Sequence, residues 1–147
     1  MQDRYLFKAK RIDNGEWVKG NLIRSNDAEV GYEAIIIPTN DSNMYTKGGS
    51  IGDLGFENWH RVNETTICQC TGLKDKNGRV IWENDIVKDD KGNFYKAFWQ
   101  EKYYQFSWVC VKSEKLPMGA RWSLNCFRGY EMEIIGNIFD NPELLEE

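Results

Sequence analysis

His60 is the only histidine in the chain, so any nucleophilic mechanism with an imidazole base has to run through it. Its neighbours Trp59 and Arg61 suit a strand or loop of mixed exposure, and the expected role is a surface or half-buried side chain without chemistry. Cysteines raise the question of zinc. Structural zinc sites space their paired thiolates so that both can wrap one ion; Cys68-Gln-Cys70 is too tight, and Cys110 and Cys126 stand apart without a partner pair. The run Gly49-Ser-Ile-Gly52-Asp-Leu-Gly55 has the glycine content of a phosphate cradle. A cradle of that kind runs into a helix N-terminus. Here Phe56-Glu-Asn-Trp-His-Arg61 follows, with no Gly-Lys-Ser/Thr and no helical stripe, and a plain loop is expected.

Paired carboxylates occur at Asp89-Asp90 and at Glu131 with Glu133. Glycoside chemistry needs two carboxyls facing each other across a cleft, about 5–9 Å apart. Neighbouring turn aspartates do not supply that, so solvated charges are expected. No catalytic set, metal or cofactor is read from the sequence, and the chain is expected not to be an enzyme.

Aromatic side chains are the strongest feature. Trp99, Tyr103, Tyr104, Phe106 and Trp108, with Lys96 and Lys102 nearby, have the make-up of a stacking platform with cationic edges. Alternation of period two places Tyr95, Ala97 and Trp99 on one face of a first strand and Tyr104, Phe106, Trp108 and Cys110 on one face of a second. Packing inside a β-core is therefore expected for Trp99, Tyr104, Phe106 and Trp108. Tyr95, Trp99 and Tyr103 are the candidate interaction surface, to be judged by the exposure of their rings.

These residues have to be positioned by a folded β-protein. The 147 residues are 41% hydrophobic, 29% charged and 14% aromatic, with six Trp, seven Tyr and seven Phe, which excludes a disordered chain, a collagen-like fibre and a coiled coil. The longest aliphatic run, Ile35-Ile36-Ile37, is far short of a membrane span. Net charge is -4, with 8 basic and 10 acidic residues up to Ile67 and 11 and 13 after it, so neither part is a basic nucleic-acid arm. The charged start, Met1-Gln-Asp-Arg-Tyr5, does not read as a signal peptide. A cytoplasmic protein with reduced, mostly buried thiols is expected.

Tyr5–Ile12 and Glu16–Ile23 flank Asp13-Asn14-Gly15, a hairpin signal in which both central residues are expected at positive φ. Val30–Ile37, ending at Pro38, reads as a third strand. Residues 39–55 read as a long loop. Further strands are expected at Thr65–Thr71, Val80–Lys88, Asn93–Gln100, Tyr103–Lys112 and Met132–Phe139, with tight turns at Lys74–Gly78 and Asp89–Gly92. Ser113–Cys126 fits a short helix or a strand. Asn141-Pro142 starts a short C-terminal helical turn, with Asn141 as its cap. Short strands with frequent turns mean a small barrel or sandwich.

Three blocks carry a family resemblance: YLFKAKRIDNGEWVKGNLI from Tyr5, QCTGLKDKNGRVIWENDIVK from Gln69 to Lys88, and EIIGNIFDNPELLE from Glu133 to Glu146. In this order they resemble the YopX family of phage and prophage proteins. The chain departs from the family at Asn84, where glycine is usual, and at Cys70, where an aromatic is common. Asparagine tolerates positive φ, so the turn at Asn84 is expected to be kept. The resemblance implies a mainly β fold: a β-rich N-terminal part (1–67) with its loop at 39–55, then an SH3-like small barrel (68–147). It also implies a homo-oligomer and supplies no catalytic residues. The expected function is that of a non-enzymatic phage accessory protein, acting by self-association or by binding a host or phage protein. The alternatives are a nucleic-acid-binding small barrel and, least favoured, a small carboxylate-based hydrolase.

Overall fold

The computed structural model describes residues 5–25, 34–39, 43–46, 54–124 and 131–146. Among them the chain forms thirteen β-strands, all paired antiparallel, and three short 3-10 turns, with no α-helix. No helix among the described residues is long and apolar enough to cross a membrane. The chain falls into two compact units, which change over between Gln69 and Cys70.

In the N-terminal unit, β1 (Phe7–Lys10) pairs with β2 (Trp17–Arg24) and β2 with β3 (Ala34–Pro38). β4 (Met44–Thr46) and β5 (Leu54–Phe56) form a separate ribbon, and β6 (His60–Arg61) adds to β3. The first residues of β7 (Cys68–Lys74) pair with β1 on its free side. Alternate residues make the core: Ala9, Ala34, Ile36 and Val62 are buried, packed by Phe7, Val18, Leu22 and Ile67. One face of the sheet is thus dry, and the other is not bare, since Lys8 and Ile37, neighbours of Ala9 and Ile36, are also buried.

Two expectations change here. The β1–β2 loop is longer than a two-residue turn: Arg11 N–H donates to Glu16 O at 2.9 Å, and Gly15 N–H donates to Arg11 O at 2.9 Å. Of the two turn residues only Gly15 has positive φ, at 71°, because longer hairpin loops need a single left-handed residue. Residues 39–55 are not a structureless loop, since they contain β4 and the first two residues of β5. Asn43, 3% exposed, ties the base of that ribbon. Its Nδ2 donates to Pro38 O at 2.8 Å and Asn58 O at 3.0 Å, and its Oδ1 accepts from Asn58 N at 2.6 Å. Residues 40–42 and 47–53, which include most of the glycine-rich run, lie outside the described residues.

In the C-terminal unit, β8 (Val80–Trp82) pairs with the end of β7. β9 (Asp85–Lys88), β10 (Phe94–Gln100), β11 (Gln105–Lys112), β12 (Arg121–Ser123) and β13 (Glu133–Asn137) form a sheet of order β12-β11-β10-β9-β13. The residues read as either helix or strand, Ser113–Cys126, thus contribute a strand. Trp108, Tyr95, Ile81, Val87, Ala97, Cys110 and Met132 are the buried core. Asn84 sits at φ 70°, with its N–H on Ala97 O at 2.7 Å, so asparagine holds the left-handed turn that glycine would favour.

The expected closed barrel is not formed among the described residues. The last strand does return to the first, β13 beside β9, but β12 and β13 remain the two edges of the sheet. Both edges are short, at three and five residues, and short edge strands already discourage foreign pairing, so closure is not needed for that purpose. The C-terminal turn is present as a 3-10 turn, Pro142–Leu145, with Pro at its start. Asn141 stands at the N-cap position as expected, but its side chain makes no capping hydrogen bond; its Oδ1 turns back to accept from Asn137 N at 3.3 Å. There it lies against Gly136, where any Cβ would collide with the Asn141 amide.

Candidate functional site

The β10–β11 hairpin carries the rings singled out from the sequence. Its register pairs Ala97 with Trp108, Trp99 with Phe106 and Gln100 with Gln105, so Tyr95, Ala97, Trp99, Phe106, Trp108 and Cys110 share one face. Period two sets the face, but the distance from the core sets the burial. Tyr95 and Trp108 are 1% and 0% exposed, whereas Trp99, one pair short of the turn, is 40% exposed. Phe106 meets Trp99 edge-on at 5.1 Å.

The chain reverses through the 3-10 turn Glu101–Tyr103, and Tyr104 follows at φ 52°. Tyr103 and Tyr104 are 57% and 77% exposed. Trp99 and Tyr104, expected inward, are therefore surface residues, because the core ends before the hairpin does. Of the candidate surface, Trp99 and Tyr103 present their rings at the tip, while Tyr95 is consumed in the core. Lys102 Nζ lies 5.3 Å over the Tyr103 ring.

Asp89 is not a solvated turn charge. Its Oδ1 accepts from the N–H of Lys91 and of Asn93, both at 2.9 Å. Its Oδ2 accepts from Asn93 Nδ2 at 2.8 Å and Tyr95 Oη at 3.0 Å. Burial opposes its ionisation, but these donors outweigh burial and hold the carboxyl below its ordinary range. Burial first, and then the Asp89 carboxylate, push the Tyr95 phenol far up. Ser113 Oγ donates to Asn93 Oδ1 at 2.6 Å and accepts from the N–H of Lys115 and Leu116. The turn after β9 is thereby clipped to the loop after β11. Between them lies a cleft of about 730 Å³ with Tyr95 and Trp122 among its walls, the two rings in edge contact at 5.8 Å. The sequence marked Asp89 as a turn residue but gave no sign of this cleft, whose walls come from segments up to 33 residues apart (Asp89 to Trp122).

The other carboxylates do converge. Asp89, Asp90, Glu131 and Glu133 line a second hollow of about 420 Å³ together with Lys76 and Lys88. Glu133 is matched there by Lys76 at 3.4 Å and Lys88 at 3.6 Å. A glycosidase general acid needs a raised pKa, and Asp89 is shifted the other way.

His60 is half-buried on β6, opposite Ile36. Burial and then the Arg11 charge lower its pKa, so the ring is neutral at pH 7. Cys68, Cys70 and Cys110 are buried thiols, and burial pushes the Cys110 thiol up, away from nucleophilic reactivity. Cys126 lies outside the described residues. Among the described residues no three His, Cys, Asp or Glu side chains gather to hold a metal.

Comparison with known proteins adds a family and a fold. No curated protein matches this chain. Among solved structures, the protein EF1440 from Enterococcus faecalis is similar at 26% identity and a TM-score of 0.57, covering 95% of this chain and 96% of its own. The family model described as YopX protein matches residues 6–146. From near its first described strand to its last turn, the chain belongs to the YopX family.

Proposed function

We propose that the protein is a non-enzymatic phage or prophage accessory protein of the host cytoplasm, acting by self-association or by binding a host or phage protein through the tip of the β10–β11 hairpin. The observation that carries this reading is the grouping of Trp99, Tyr103 and Tyr104 there, with exposures of 40, 57 and 77%. Large rings on a hairpin tip have the make-up of interface anchors. Tyr104 adds to it, since a bulky residue at φ 52° occupies backbone space that glycine fills without strain. Such an outlier points towards function rather than stability. The return of β13 to β9 supports an SH3-like strand order for the C-terminal unit.

Light scattering after size exclusion tests the self-association arm across a wide concentration range. The expected result is a mass above the monomer that falls to the monomer in a Trp99→Ala/Tyr103→Ala variant. A monomer at every concentration rejects self-association, and equal capture of host or phage proteins by the wild type and the double variant rejects the tip as the contact.

A second reading, nucleic-acid binding, is favoured by Lys10, whose ammonium group lies 5.5 Å over the Trp17 ring. Cationic and aromatic groups together on a sheet suit a single strand. Gel shifts at low salt with single strands, duplex and RNA test it; any binding should weaken steeply as salt is added, and no shift at all removes this reading.

A further inference from the structure

The cleft between the Asp89–Asn93 turn and the Ser113–Leu116 loop is not part of the hairpin-tip surface and has the properties of a binding site. Its volume of about 730 Å³ is in the range of small-molecule pockets. Its polar groups are already spoken for. The Asp89 carboxylate is saturated by four donors, and Ser113 and Asn93 are engaged with each other and with the backbone. These bonds make the walls rigid and keep Asp89 ionised beneath the rim.

Three ammonium groups border the same cleft: Lys91, Lys112 and Lys115. Among the described residues none of them forms an ion pair; Lys112 lies instead over the Phe94 ring at 5.7 Å. Glu114 and Asp89 are the acids that accompany them. Apolar surface comes from Phe94, Leu116 and Trp122. In a chain of net charge -4, a concave site whose lining carries three lysines against two carboxylates, beside aromatic walls, selects for a ligand with negative charge and a flat apolar body.

We propose that this cleft binds a small aromatic anion, with its ring against Trp122 and Leu116 and its phosphate, sulfonate or carboxylate among Lys91, Lys112 and Lys115. The rigid Asp89–Asn93–Ser113 clip holds the two walls at the spacing the ring needs, so binding requires little reordering.

The test uses the full chain and the fluorescent anion 8-anilinonaphthalene-1-sulfonate, with amide chemical-shift mapping to locate it. Saturable binding at one site per chain is expected, with shifts centred on residues 89–94 and 112–116. Affinity should fall at least tenfold in a Lys112→Ala/Lys115→Ala variant, whose side chains are on the surface and whose fold can be checked by the same spectra. The uncharged analogue N-phenyl-1-naphthylamine should bind at least tenfold more weakly than the sulfonate. Adenosine monophosphate should compete, whereas inorganic phosphate, which lacks the ring, should not. Absence of saturable binding overturns the proposal. So does affinity unchanged by loss of the lysines, or a shift map centred on Trp99 and Tyr103. The last result would assign the probe to the hairpin tip and leave the association experiment above to stand or fall by itself.

Discussion

The C-terminal unit uses one turn twice, to different ends. Asp75-Lys-Asn-Gly78-Arg79 and Asp89-Asp-Lys-Gly92-Asn93 share a plan. In each, the aspartate N–H donates to the carbonyl four residues on, at 2.8 and 3.0 Å. In each, Oδ1 accepts from the amides two and four residues on, all at 2.9 Å. The fourth residue is a glycine at φ 78° and 82°. The difference lies in the second oxygen. Asp75 Oδ2 reaches Arg79 Nε at 3.2 Å and, across the unit, Ile134 N at 3.1 Å. Asp89 Oδ2 goes to Asn93 and Tyr95 beside the cleft. The same local chemistry thus closes a turn in both places, then fastens the last strand in one and shapes a cavity wall in the other. Local sequence specifies the turn; what the spare lone pairs do is decided by the tertiary fold.

The comparison can be broken most forcefully at Asp75, whose side chain is fully buried. Asp75→Ala should cost about 3 kcal/mol, since it strands several backbone donors that converge on a fully buried carboxylate. Asp89→Ala should cost about 2 kcal/mol, because its turn is more open to water. Urea unfolding checks both; equal losses would show that the strand tie at Ile134 adds nothing.

Acid provides the next test. Both carboxyls are held below their ordinary value, against the opposing effect of burial, by the donors described above. The unfolded chain therefore binds protons first as pH falls. Stability from the two aspartates is complete above about pH 4, the ordinary carboxyl range, and drains away as pH drops through the lower folded values. Melting curves between pH 2 and about pH 5 should show a shallower acid limb in Asp75→Asn and Asp89→Asn than in the wild type. An unchanged slope in either would mean that its carboxyl is not perturbed.

A gentler comparison replaces the glycines. Nothing stands within 4 Å of a Cβ added at Gly78 or Gly92, so Gly78→Ala and Gly92→Ala isolate backbone strain. Each should cost about 1 kcal/mol by thermal unfolding, and the two should agree closely if the turns are one design. The smallest effect is expected at the hairpin tip. Tyr104→Gly should raise stability by less than about 1 kcal/mol, since it relieves a left-handed tyrosine that is mostly in water. A loss of stability there would show that the ring packs on its own chain.

Much of this molecule could be read in advance, and the failures have a common cause. Strands, turns and the family blocks are local patterns, and β1–β2, β10–β11 and β13 fall where alternation and turn residues place them. Period two gave the correct face for Trp99 but could not tell where along the strand the core stops. The turn at Asp89 was legible; its conversion from solvated charge to saturated carboxylate was not, because Tyr95 and the Ser113 loop are brought to it only by the folded sheet. The β4–β5 ribbon hid within a polar stretch whose strands are three residues each, too short for alternation to register. The edges of the five-stranded sheet stay apart for a reason no single strand encodes, since closure is a property of all of them together.

Gly136 and Asn141 leave a different kind of mark. The amide of one occupies the volume that the other's missing side chain vacates, so the two positions form a single unit of inheritance. A sequence that acquires alanine at the first should be rescued only by shortening or re-aiming the second, and drift at this corner of the protein should proceed in paired steps.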